Sequence, residues 1–409
     1  MFRREIDAPY AWCRLGVAML LSTIGGVGMW SVVVSLPAVQ AEFGADRGGA
    51  SLPFTLTMIG FGVGGVLMGR LADRIGIVIP IAIGAVSLAA GYALASLAGS
   101  LWQFALIYGV LIGLLGTAPS FAPMIADISH WFERRRGIAV ALCASGNYLA
   151  GAFWPPVVEH LIRLYGWRAT HLGIGLFCLA TMLPLSLLLR GHAPVRAAGI
   201  AAPARQRLGT LGLSPGILQS VLAVAGVCCC VAMSMPQVHI VAYCGDLGYG
   251  VARGAQMLSL MLACGIVSRI GSGFIADRLG GLATLVIGSA AQMTALTLYL
   301  MTDGLTSLYV VSALFGLFQG GLVPSYAIVI RECFPAREAG ARVGIVMMAT
   351  LLGMALGGWM SGAIYDLTGS YRAAFANGVA WNGINLVIVL WLLSRRGREA
   401  GMVKWVAVS

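Results

Sequence analysis

Charged side chains are scarce in this sequence. They fill 10% of its 409 positions, against about 25% in an ordinary soluble domain. So little charge cannot cover a water-facing surface of this size, which excludes a soluble globular protein. The ~10-residue alternation of barrel strands is also missing. In hydrocarbon every backbone polar group needs an internal partner, so helices remain. No paired Ser/His/Asp set, metal-ligand cluster or H-E-x-x-H stretch falls within the apolar runs, so the common designs of a membrane-embedded hydrolase or acyltransferase are excluded and no cofactor is expected. The nine cysteines follow neither a disulfide nor a metal spacing, and Cys228, Cys229 and Cys230 sit together in an apolar run as packing residues. A cleavable leader is not expected either. The first apolar run, from about Leu15 to Val39, is too long for a signal peptide and lacks a cleavage site.

What is abundant is apolar: 59% of the residues are hydrophobic. They fall in runs of about 20 residues, the length that carries a helix across a bilayer. Twelve spans are expected, near 14–41, 51–72, 77–97, 101–127, 136–160, 168–190, 215–241, 254–276, 282–302, 305–331, 340–365 and 373–394. The fold class is therefore an all-α membrane protein, with twelve transmembrane helices in two six-helix, pseudo-symmetric halves. Residues 1–190 form the first half and 215–409 the second. The polar stretch 191–214, with Arg196, Arg205 and Arg207, is a cytoplasmic linker. The net charge of +11 reads as topology rather than nucleic-acid binding. With the N terminus inside, twenty of the 26 Lys and Arg residues lie on the inner segments, five on the outer ones, and Arg269 within a span. Both termini are then cytoplasmic, in a cell membrane.

The halves repeat. Gly69-Arg70-Leu71-Ala72-Asp73-Arg74-Ile75-Gly76 follows span 2, and Gly273-Phe274-Ile275-Ala276-Asp277-Arg278-Leu279-Gly280 follows span 8, 204 residues later. Arg168 before span 6 and Arg372 before span 12 share that offset. Parallel six-span repeats with a site between them describe one transporter architecture. At the G-x-L-A-D-R-x-G segment the chain resembles the major facilitator superfamily. Trp131-Phe132-x-x-Arg135-Arg136-Gly137-Ile138-Ala139, with Gly146 and Gly151, is similar to the span 4–5 motif of the monocarboxylate transporter family. Val238 to Tyr243, Asp246-Leu247-Gly248, and Arg269 eight residues before Asp277 fit the same family. The resemblance implies transport of a small organic anion such as lactate or pyruvate, with a proton, by alternating access. The chain departs from the animal members in lacking their acidic-Gly-Trp motif and span 1 lysine, and in placing Gly265 where they carry an acid. The span 11 lysine of the related oxalate/formate exchangers is absent too. Exchange of 2-oxo acids or dicarboxylates, and a non-transporting sensor, stand as alternatives. Export of a cationic drug would call for a central acid, where this chain has a central base.

Arg269 is that base. It lies about 12 Å along a helix from Asp277 at the inner face and about 24 Å from Arg253 at the outer face, so near mid-membrane. Insertion there costs ~2.5–3.5 kcal/mol. A neighbouring carboxylate could compensate, but the nearest acids, Asp127 and Glu159, lie close to span ends. A substrate carboxylate, bridged by two parallel hydrogen bonds, is the other compensation. Asn147 and Gln319 lie at similar depth and either bind the same anion or bond between helices. Trp30, Phe121 and Tyr326 are candidate cavity walls, or simply packing. His239 is the candidate proton carrier, or an interface hydrogen bond. Asp73, Arg70, Arg74, Asp277 and Arg278 are expected, from the resemblance, to form inner-face ion pairs that hold the halves together when the outer side is open. The implied partners are a small organic anion, a proton and the lipid bilayer, with no nucleic acid and no obligate protein.

Overall fold

The computed structural model describes residues 8–191 and 211–406, so Arg196, Arg205 and Arg207 of the expected linker fall outside the described residues. Every regular element among the described residues is helical. Eleven helices are long and apolar enough to cross a membrane, and one of them, 52 residues long, breaks at Gly166 (φ 78°, ψ 162°) and supplies two spans. The twelve are α1 Pro9–Phe43, α2 Arg47–Ile75, α3 Val78–Ser96, α4 Leu101–Ser129, α5 136–165, α6 167–188, α7 Pro215–Asp246, α8 Val251–Leu279, α9 Gly281–Met301, α10 Leu305–Cys333, α11 Ala336–Thr368 and α12 Tyr371–Val406.

Local chemistry sets the ends. Asp46 accepts from the Gly49 N–H at 2.7 Å and starts α2; Ser100 and Ser214 do the same for α4 and α7. Gly76, Gly166, Gly250 and Gly280 all turn the chain with φ between 78° and 87° and an extended ψ. Only glycine enters that region freely. The G-x-L-A-D-R-x-G segment differs from the expected loop. Its first seven residues form the last two turns of α2, and only Gly76 breaks the helix. Arg70, Asp73 and Arg74 lie exposed on those turns, so the backbone keeps its helical bonds while the charges stay in water.

Glycines set the helix spacing inside each half. A Cβ on Gly60 or Gly64 of α2 would overlap the carbonyl oxygens of Gly109 or Leu114 in α4. In the second half, Gly316 and Gly320 of α10 press in the same way on the carbonyls of Met261 and Gly265 in α8. Backbone in contact with backbone cannot yield as a side chain can. Gly60→Ala is therefore expected to lower stability by about 1–3 kcal/mol. Gly69→Ala, with nothing within 4 Å of the added methyl, should be near neutral. Thermal unfolding in detergent compares the two.

Between the halves, α2 packs on α11, α5 on α8, and α1 on α7. Outside the membrane, Asp303 in the α9–α10 turn accepts from the Tyr243 hydroxyl at 2.8 Å and from Arg372 at 2.7 Å. Those bonds hold its carboxyl below the usual 3.8. A depressed carboxylate pKa stabilises the fold above the unfolded value, and the contribution is lost as pH falls through the folded one. Both side chains of the Arg372 pair are largely exposed, so at most about 1 kcal/mol is at stake. Asp303→Asn should lower the melting temperature slightly at about pH 6, by an amount that shrinks as pH falls below 3.8.

Candidate functional site

The end of the interface at the α1–α2 turn, expected from the charge distribution to face outward, is closed. The main-chain N–H groups of Arg47 and Gly48, at the start of α2, donate to the two carboxylate oxygens of Asp366 on α11 at 2.8 and 2.7 Å. The Arg47 guanidinium donates to Asp246 at the end of α7 at 2.6 Å, and stacks over Tyr365 at 5.3 Å. Gly362 of α11 lies directly on the Arg47 carbonyl. Every one of these contacts joins the first half to the second.

The opposite end, expected to face inward, is open. A cavity of about 820 Å³ lies between the halves, lined by Phe61, Gly62, Phe121, Val140, Val323, Arg331 and Met348, among others. It reaches Ser129, Gly137 and Gly340 beside the inner connections. Its walls are mainly apolar. Two of the lining helices are interrupted. In α4 a π-helical stretch, Tyr108–Thr117, runs into a short 3₁₀ turn and then Phe121 at φ −122°, ψ −88°. In α10 regular helix stops at Gln319 and resumes at Leu322. Helices broken at corresponding depth in two repeats are a mark of transporter binding sites.

Arg269 lies beside the second break. Its Nη1 donates to the Ala144 carbonyl of α5, in the other half, at 2.9 Å, and its Nε reaches the Gly320 carbonyl at 3.4 Å. The guanidinium carbon stands 4.3 Å from the centre of the Tyr148 ring. Among the described residues no carboxylate pairs with it, and its remaining N–H groups bond to nothing there yet are not sealed from solvent. Arg269 is half-buried and is not itself among the residues lining the cavity. Ala144 lies one helical turn along α5 from Val140, and Gly320 one turn along α10 from Val323, both of which do line it. The two carbonyls that hold the guanidinium are thus each within about one helical turn, in sequence, of a lining residue.

The other candidates divide. Trp30 is buried, with its indole N–H on the Asn147 carbonyl at 3.3 Å. The Asn147 side chain is half-buried on the helix that carries Ala144 and Tyr148. Tyr148 and Arg269 meet across the α5–α8 contact, while Trp30 reaches the same stretch of α5 from α1 and the Asn147 side-chain oxygen lies toward Gly26 of α1. Phe121 lines the cavity, 5.7 Å from the Phe61 ring. Gln319 is fully buried next to Gly320. Tyr326 is placed elsewhere. It is fully buried within the second half, its hydroxyl donating to Asn385 at 2.6 Å, and with no exposed surface it walls no open cavity. His239 is fully buried, with Nε2 at 2.8 Å from the Gly358 carbonyl and Nδ1 at 3.3 Å from the Tyr371 hydroxyl. Arg70, Asp73, Arg74, Asp277 and Arg278 are exposed at the inner end, and the first three and Arg278 make no ion pair among the described residues.

Sequence reasoning missed Tyr148, Gln237 and the outer cluster of Arg47, Asp246 and Asp366. It also missed Arg14, fully buried, which pairs with Asp127 through two bonds of 2.9 Å and stacks on Trp131. Asp127 was legible as the acid nearest the membrane, but not its partner 113 residues away.

Residues 18–307 and 272–404 match the family model described as Major Facilitator Superfamily. Among curated relatives, Monocarboxylate transporter 13 of Bos taurus is 29% identical over 334 residues, which covers 80% of this chain and 75% of the relative. Monocarboxylate transporter 11 of Homo sapiens is 26% identical over 394 residues, with 90% and 80% covered. The MFS-type transporter pynF of Aspergillus niger is 28% identical, with 74% and 69% covered. In fold, the chain is similar to a solved bacterial homolog of the human lysosomal transporter Spinster in an inward-facing, occupied conformation. The TM-score is 0.68 at 15% identity, with 96% of each chain covered.

Proposed function

Since the chain belongs to the Major Facilitator Superfamily, in its monocarboxylate transporter family, we propose that it carries a small monocarboxylate of lactate or pyruvate size across a cell membrane, with both termini in the cytoplasm. The observation that carries this reading is Arg269. Its charge lies in the membrane interior, is balanced by no acid among the described residues, and is held on main-chain carbonyls from both halves. A carbonyl satisfies an N–H but leaves the charge; a substrate carboxylate satisfies both. Asn147, Gln319 and the aromatic rings of Trp30 and Phe121 complete the site. Rocking of 1–190 against 215–409 would expose it to each side in turn.

A proton accompanies the anion in this reading. Moving an unneutralised charge costs ~2.3 kcal/mol per 100 mV of membrane potential. His239 is the carrier we propose. Its Nδ1 holds only the longer of its two bonds, and the ring lies beneath the outer cluster. Uptake of a panel of radiolabelled small acids into proteoliposomes, with and without an inward proton gradient, tests both parts. Gradient-driven accumulation of short monocarboxylates is expected. Uptake that ignores the gradient, and appears only when acid is preloaded on the far side, would replace symport with exchange; no uptake of any acid would discard the anion reading.

A further inference from the structure

The geometry points to the amide pair Gln237–Gln319 as a second recognition element, one that reads an oxygen on the carbon next to the substrate carboxylate and so selects 2-oxo and 2-hydroxy acids over plain ones. This deepens the carboxylate reading of Arg269 and rests on it.

Gln319 closes the first helical part of α10, directly before the Gly320–Gly321 interruption. The Gly320 carbonyl freed by that interruption is the one Arg269 reaches. Gln319 is therefore the residue that precedes the Arg269 anchor along the chain. It is fully buried, and its Oε1 accepts from Nε2 of Gln237 on α7 at 2.9 Å. Its own Nε2 has no partner. A buried amide donor left unpaired costs about 1–3 kcal/mol, so an apolar residue at this position would be better for stability alone. The two amides can be turned together without losing their mutual bond, because O and N are nearly the same size. Gln319 then offers an acceptor in place of a donor. One side chain can thus donate to a 2-oxo group and accept from a 2-hydroxyl. A plain acid brings neither, and leaves the amide as unsatisfied as before. Sites built to bond a substrate oxygen discriminate strongly against analogues that lack it.

The experiment compares uptake of pyruvate, lactate and propionate by the parent, Gln319→Met and Gln237→Met in proteoliposomes. Methionine keeps the length of glutamine and removes the amide. The parent is expected to prefer the 2-oxygen acids by roughly 10- to 100-fold in kcat/KM. Gln319→Met should bring that ratio to within about threefold of unity, through loss of pyruvate and lactate uptake and not through a gain in propionate uptake. Gln237→Met, which frees Gln319 to swing, should lower the ratio by less. If the methionine variant is not recovered folded, Gln319→Asn, which withdraws the amide by one methylene, must lower the ratio on its own. A parent that takes up all three acids equally, or a preference that survives Gln319→Met, overturns the subsite and leaves the Arg269 reading standing. A parent that takes up none of them overturns that reading, and the subsite with it.

Discussion

Replacing Arg269 by alanine is expected to lower kcat/KM for carboxylate uptake at least a hundredfold, with the protein still folded and inserted. Two of the guanidinium's five N–H groups are held by the Ala144 and Gly320 carbonyls, and the rest remain for a ligand. Charged hydrogen bonds that lose their partner in a desolvated site cost about 2–5 kcal/mol, and each ~1.4 kcal/mol is tenfold. Folding should suffer far less. The substitution deletes a half-buried charge rather than stranding one, and of the two carbonyls it frees, that of Ala144 lies within the continuous helix α5 and that of Gly320 at the α10 interruption. Arg269→Lys separates charge from geometry. Lysine keeps the positive charge but is a point donor that cannot bond both halves and a carboxylate in one plane. It should recover a minor part of uptake, about tenfold below the parent or worse. The measurement is initial-rate uptake normalised to the amount of protein reconstituted, with thermal unfolding as the control. Parent-like uptake by Arg269→Ala would show that the anion binds elsewhere.

Arg269 was legible in the sequence because cost singles it out. A charge at the centre of an apolar run of known length needs a reason, and depth follows from counting residues along a helix. The twelve spans were legible on the same ground, since the bilayer sets their length. The helices nevertheless extend past the apolar runs, as at Arg70 to Ile75, where charges ride on continued helix. What stayed hidden was relational. Tyr326 and Phe121 are both aromatics on the interrupted helices, one in the core of a half and one on the cavity, and nothing in composition separates them. The face each presents depends on how α4 and α10 wind through their interruptions, and a π-helical stretch shifts the register of everything after it. The outer cluster was hidden because its members lie 199 and 319 residues apart and each looks like an ordinary loop charge.

Asp366→Ala is expected to move the conformational equilibrium toward an outward-open state by roughly a hundredfold. Arg47, on the first half, is tied to Asp366 and Asp246, both on the second. These bonds exist only while the outer end is closed, so their whole free energy weighs on one side of the equilibrium, which is what a conformational bias requires. The Asp366 carboxylate takes two main-chain N–H groups at the start of α2, where a helix N-terminus favours negative charge. Removing it leaves those donors without a partner. At about 3 kcal/mol for the loss of such a charged, partly buried contact, a carrier with about 99% of its molecules closed at this end would become nearly evenly divided. The readout is a cysteine at Ser51, buried in the closed form, labelled by an impermeant maleimide from the outer side. Labelling should be slow in the parent and much faster with Asp366→Ala. Arg47→Ala should act in the same direction and, added to Asp366→Ala, give less than the sum, since both break one cluster. Raised salt should speed labelling of the parent, because the Asp246 side chain is partly exposed. The inner-end charges Asp73, Arg70, Arg74, Asp277 and Arg278 would make the opposite contribution, with pairs formed once the inner cavity closes. Neutralising Asp73 in the Asp366→Ala background should therefore slow outer labelling again. Labelling unchanged in all these variants would mean that helix packing at Gly362 and its neighbours, not charge, keeps the outer side shut.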